Sequence, residues 1–84
     1  MIFHNTTTHQ FEATTGSDLA VVTYRIEGAR LILTHTWVPP AFRGQGIAEK
    51  LGLAAFAFAR EQGLEIVPEC SYLATLLQRH PEFR

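Results

Sequence analysis

Arg43, Gly44 and Gly46 stand within Val-Pro-Pro-Ala-Phe-Arg-Gly-Gln-Gly-Ile-Ala, residues 38–48, and their types and spacing suit a bound phosphate. The glycines let backbone N–H groups come close to a ligand. An apolar, β-branched run, Leu31 to Val38, precedes the stretch, and a helical pattern, Ile47 to Gln62, follows it. A strand therefore leads through a short loop into a helix N-terminus. The first helical turn leaves unpaired N–H donors and a partial positive charge, both favourable to an anion. Arg43 adds a guanidinium fork matched to phosphate oxygens. The arrangement predicts a pyrophosphate cradle that needs no metal.

Two other known ways of holding phosphate are absent. No Gly-x-x-x-x-Gly-Lys-[Ser/Thr] occurs, and no Gly-x-Gly-x-x-Gly with a ribose-binding acid behind it. The plain alternative is a loop that needs small residues before a helix; the strand context, the paired prolines and Arg43 weigh against it.

Cys70 follows an apolar segment and precedes a helical pattern starting near Ser71. Thiols at helix N-termini become more acidic, because the free N–H groups favour thiolate. A free cysteine is also a small hydrophobe that packs well, and that reading stays open. His35 lies on the strand leading to the loop; a strand histidine usually packs, yet its ordinary pKa near 6.5 suits proton removal from an amine. His80, beside Pro81, reads as a helix-end residue whose charged form suits the C-terminal dipole.

The elements that must position these residues are legible in outline. A short strand spans about Gln10–Thr14 and closes with the turn Thr15-Gly16-Ser17-Asp18. Leu19–Glu27 is a second strand, with Ala20, Val22, Tyr24 and Ile26 on one face. Gly28-Ala29 returns the chain into Arg30–Val38, which predicts a hairpin. Pro39-Pro40 ends that strand, since neither residue donates to a ladder. A helix from about Gly46 to Gln62 stops at Gly63, with Ile47, Leu51, Ala54, Ala55 and Phe58 as its core stripe and Leu53 and Phe56 off it. Leu64–Pro68 is a short buried strand and Tyr72–His80 a second helix, ended by Pro81. Strand–helix–strand between residues 30 and 68 predicts a right-handed parallel crossover, with the loop at the carboxyl end of its strand, where ligands bind α/β sheets.

At 84 residues the chain predicts a single domain, 1–84, near the lower size limit for folding without staples. A hydrophobic share of 46% supplies a core, and Lys+Arg 7 against Asp+Glu 8 gives no basic excess to steer nucleic acid. One cysteine excludes an internal disulfide, and four scattered histidines lack zinc-type spacing. No segment has the length of a membrane span, and no signal-peptide pattern opens the chain. The expectation is a soluble, cytoplasmic protein with no nucleic-acid, membrane or metal partner, monomer or dimer being undetermined.

Arg43-x-x-Gly46-x-Ala48 resembles the acyl-CoA-binding signature of the GNAT N-acetyltransferase superfamily, Arg/Gln-x-x-Gly-x-Gly/Ala. Phe11-Glu12, Tyr24, His35-Thr36, Val38-Pro39-Pro40, Pro68, Cys70 and His80-Pro81-Glu82 are similar to the small, single-domain YjdJ-like members of that superfamily. The resemblance runs from about His9 to Phe83. It implies a minimal GNAT fold of α/β (α+β) class: a mixed, mostly antiparallel sheet with one parallel pair that splays apart, and two helices.

The resemblance also implies acetyl-CoA as cosubstrate, with its pyrophosphate on the backbone of Arg43, Gly44, Gln45, Gly46, Ile47 and Ala48. Its pantetheine arm would lie along the strand edge at Trp37–Val38, as an added strand would. The implied activity is acetyl transfer to an amine acceptor, small molecule or protein, with the Val38 N–H facing the developing oxyanion. A cysteine at the place of Cys70 lies near the acetyl group in the YjdJ-like proteins, as nucleophile or proton donor; His35 is the other catalytic candidate. Trp37 stands where YjdJ-like proteins usually carry Glu, and Gln78 where larger GNAT enzymes carry a tyrosine acid. Those departures support the rival reading, a non-catalytic CoA-binding or protein-interaction module. A redox-sensing thiol would rest on Cys70 alone, without a resolving cysteine.

Overall fold

Alternating side chains along each strand decide which face of the sheet is buried. In the computed structural model, which describes residues 2–84 and the backbone alone at Thr15, five strands form one sheet in sequential order. They are β1 (Ile2–Asn5), β2 (Gln10–Thr15), β3 (Asp18–Glu27), β4 (Arg30–Trp37) and β5 (Glu65–Pro68). Helix α1 (Ile47–Gln62) connects β4 to β5, and α2 (Ser71–Arg79) follows β5. Pairing is antiparallel from β1 to β4 and parallel between β4 and β5. The fold is thus α+β, a mixed sheet with one parallel pair and two helices, as the pattern and the resemblance predict. Strand β1 was not anticipated: Ile-Phe-His-Asn is too short to show a period of its own.

Both helices lie on one face. Phe11, Ala13, Ala20, Val22, Tyr24, Leu31 and Leu33 turn toward them and meet Leu51, Ala55, Phe56, Ala59, Leu73, Leu76 and Leu77. Phe56, read from the sequence as off the core stripe, is fully buried, with the Phe83 ring 5.6 Å away. The reason is geometric: α1 packs on the sheet and on α2 at once, so two of its faces are covered. Truncating Phe56 to alanine would cost about 3–5 kcal/mol. Ile26, expected on the face of Ala20, Val22 and Tyr24, is 49% exposed near the end of β3. Gly52 is buried where α1 meets α2; a Cβ there would stand 2.6 Å from Leu76 Cδ2 and 2.9 Å from Leu73 Cδ2.

His4, on β1, completes an aromatic cluster over one end of α1. Its ring stacks on Phe11 at 4.1 Å, meets Phe58 edge-on at 4.5 Å, and its Nε2 lies 2.6 Å from the Tyr24 hydroxyl. The other face of the sheet carries no helix. Successive strands present Phe3, Glu12, Val21 and Trp37 there in one row, and Asn5, Gln10, Thr23 and His35 in the next.

A register shift between Thr23 and Tyr24 interrupts the β3–β4 ladder. Tyr24 pairs with Leu33 but Thr23 with His35, which leaves Thr34 as an extra residue on β4. Its hydroxyl lies 2.7 Å from that of Thr23. Bulges of this kind bend a strand and raise its twist. The parallel pairing with β5 stops at Leu33 and Pro68, next to this bulge. Beyond it, β4 runs on to Trp37 while the chain after β5 turns away into α2.

Candidate active site

Pro39 and Pro40 end β4 and start a single 3-10 turn, Pro40–Phe42, in which Phe42 N–H donates to Pro39 O at 2.9 Å. Gly44 (φ 85°) and Gly46 (φ 76°) are both left-handed, a backbone that costs other residues free energy. A Cβ on either would meet nothing within 4 Å, so the ground in front of the loop is open. Gly46 is the N-cap of α1, its carbonyl accepting from Lys50 N–H at 3.1 Å. The amides of the first turn therefore face outward without helical partners.

These residues line a cavity of about 440 Å³ together with Val38, Phe42, Ile47, Ala48, Glu49 and Tyr72. The sequence-derived set thus converges: Val38, Arg43, Gly44, Gly46, Ile47 and Ala48 share one cavity, while Gln45 is an exposed loop residue and Trp37 stands beside Arg43. Arg43 is tied into this wall. Its Nε donates to Val38 O at 3.0 Å, and its guanidinium lies 5.3 Å from the centre of the Trp37 ring. Trp37 therefore makes a cation–π contact with the arginine. Gly44 and Gly46 free the space, and first-turn amides with Arg43 supply positive polarity, which fits a pyrophosphate group.

Cys70 is the N-cap of α2, half-buried, with Sγ 3.6 Å from Thr36 Oγ1. Burial pushes the thiol up, but the Thr36 hydroxyl, the amides of Leu73 and Tyr72 and that of Thr36 outweigh it, leaving the thiol below its ordinary value. No cap-length hydrogen bond closes between Sγ and the first-turn amides, so their effect is that of nearby dipoles. Thr36 pairs with buried Val22 and so points to the helix side. His35, the other sequence candidate, pairs with Thr23 on the bare side and is exposed. The structure does not bring His35 and Cys70 together.

Sequence reasoning missed Tyr72 and Glu49, which line the cavity from α2 and α1. Burial, then the Glu49 carboxylate, pushes the Tyr72 phenol above its ordinary value, so at neutral pH it is a hydrogen-bond donor. Their signal was spacing: each stands in the first turn of its helix, Tyr72 two residues past Cys70. Gln78 is exposed on α2. His80 lies 3.4 Å from Glu82 and 3.9 Å from Glu49. A second cavity, about 420 Å³ between the C-terminal end of α1 and Phe83, contains none of the predicted residues. Among the described residues no group of three or more His, Cys, Asp or Glu is placed to hold a metal. No described helix is long and apolar enough to cross a membrane.

The bulged strand, the glycine loop at a helix N-terminus and the parting parallel pair define an acetyltransferase-type scaffold, and sequence comparison agrees. Residues 10–84 match the family model of GCN5-related N-acetyl-transferases, and the chain belongs to that family. Protein NATD1 of Bos taurus is 40% identical over 65 residues, which cover 76% of this chain and 58% of that protein. Protein NATD1 of Danio rerio is 37% identical over 65 residues, 76% of this chain and 59% of its own length. The match thus spans somewhat over half the length of these curated relatives. The NMR solution structure of a GCN5-like protein from Staphylococcus aureus superposes with a TM-score of 0.77 at 28% identity, over 99% of this chain and 82% of that one.

Proposed function

We propose that this protein is an acetyl-CoA-dependent N-acetyltransferase acting on an amine acceptor. The observation that carries the reading is the cavity between the Arg43–Gly46 turn, the first turn of α1 and Tyr72. The amides of Gly44 to Ala48 hold the pyrophosphate, and the Arg43 guanidinium, anchored through Nε on Val38 O, turns its remaining donors toward it. Tyr72 donates to cofactor oxygens from the opposite wall. Bound acetyl-CoA supplies an activated thioester, which the acceptor amine attacks.

The unpaired edge of β4 from Thr34 to Val38 takes the pantetheine arm, as a strand edge takes a peptide. The Val38 N–H faces the carbonyl oxygen as charge develops on it. Cys70, 3.6 Å from Thr36 on that edge, would protonate the departing sulfur or take the acetyl group itself. The rival reading, a CoA-binding module without catalysis, rests on Trp37 and Gln78, which stand where the resemblance implies a carboxylate and a tyrosine acid. Acetyl transfer assayed against a panel of amines and lysine peptides decides between them. Turnover supports the enzyme; CoA binding with no turnover supports the module.

A further inference from the structure

The bare face of the sheet carries a graded row. Glu12 on β2, Val21 on β3 and Trp37 on β4 are in direct register and point to the same side. Read from β2 to β4, the row runs carboxylate, aliphatic, aromatic, with Phe3 of β1 beyond Glu12. The Glu12 carboxylate is held in place by two amides, Asn5 Nδ2 at 3.0 Å and Gln10 Nε2 at 2.5 Å, both on Oε2. Further along this face Arg25 bonds Glu27 and Glu69, and Arg30 lies 3.6 Å from Glu27. Glu12 has no cationic partner among the described residues. Holding a carboxylate in a fixed orientation costs side-chain freedom, and a half-buried one without a counter-charge suits an incoming cation.

We infer that this row is the acceptor subsite and that the acceptor is a linear aliphatic polyamine. One ammonium sits on Glu12, the methylene chain crosses Val21, and the far amine reaches the edge of β4 near Trp37. Two strand spacings separate β2 from β4, about 10 Å. An extended chain covers that distance in about nine bonds, roughly the separation of the end nitrogens in spermidine. Cys70 and Glu12 then lie on opposite sides of the sheet, so the amine and the thiol approach the thioester from different faces. This inference rests on the acetyl-CoA reading and names its acceptor.

The test is calorimetric binding of spermidine to the CoA-loaded protein, run beside acetyl transfer to spermidine, butylamine and ethylenediamine, which is too short to span the row. Spermidine is expected to bind and to be acetylated with a KM at least about tenfold below those of the two shorter amines. Glu12→Gln should raise that KM, and the spermidine Kd, about tenfold or more, leaving butylamine and CoA affinity unchanged. Val21→Lys, which sets an ammonium beside an intact Glu12, should do the same. CoA binding without spermidine binding overturns the polyamine subsite alone, as does equal use of all three amines or a preference for lysine peptides. Failure to bind CoA overturns the cofactor reading instead.

Discussion

Cys70 Sγ and Thr36 Oγ1 lie 3.6 Å apart across the point where β4 and β5 part, 34 residues from each other in the chain. The contact joins the N-cap of α2 to the free edge of β4. It sets the thiol beside the backbone on which the proposed thioester would rest. Four groups depress its pKa, and only the fold assembles them: the hydroxyl and amide of Thr36 on β4 and two amides from α2.

Thiol reactivity follows directly. The alkylation rate of Cys70 with iodoacetamide should rise with pH through an inflection below the ordinary thiol value, and Thr36→Val should move that inflection upward. An inflection unmoved by Thr36→Val would mean the hydroxyl does not act on the thiol.

Cys70→Ala should remove most acetyl transfer while leaving CoA affinity within a few-fold. If the thiol carries the acetyl group, acetyl-CoA alone should add about 42 Da at Cys70, reversed by acceptor. Lost activity without an adduct makes Cys70 the proton donor, and full activity in the variant makes it a packing residue and His35 the next candidate.

CoA should raise the melting temperature by mass action on the folded state. Gly46→Glu should abolish that rise, since the new side chain enters open ground before the loop with bulk and negative charge, from a backbone at φ 76° that resists any Cβ. An equal rise in both proteins would move the cofactor site elsewhere.

Arg43→Ala should weaken CoA about tenfold or more, as expected for a charged phosphate hydrogen bond of about 1.5–3 kcal/mol. Because Nε also anchors Val38 O, pantetheine should weaken too, but less. Calorimetric titration with both ligands separates the roles: equal losses assign Arg43 to the loop alone.

His4 gives a pH dependence of stability. Burial first, and His9 second, lower its pKa from 6.5. The folded state therefore binds the proton less readily than the unfolded state, and stability falls as pH drops below about 6.5 toward the folded-state value. The melting temperature should decline over that range, and His4→Gln should flatten the decline. A wild-type curve parallel to that of the variant would remove His4 from the balance.

Much of this was legible beforehand because it rests on local chemistry. Pro39-Pro40 had to end a strand, Gly63 had to stop a helix, and Arg43 through Ala48 had to form a loop at a helix start. The strand β1 was not legible, since its four residues gain stability only by pairing with β2 and placing His4 on Phe11. Phe56 defied a one-stripe reading because α1 is covered from two sides. Tyr72 joined the cavity through the angle at which α2 leaves β5; its place in the first turn of α2 was legible, but that angle was not.

Thr34 acts as a phase shifter. Were the alternation from Leu33 unbroken, with Thr34 in the ladder, His35 and Trp37 would turn inward against the helices and Thr36 outward to solvent. The one supernumerary residue inverts that parity, delivering a hydroxyl to Cys70 and an indole to the opposite surface. The chemistry of the strand end is thus written as a frame, and taking Thr34 into a regular ladder, with no bulge, would exchange the two surfaces' side chains without altering any of the residues that make them.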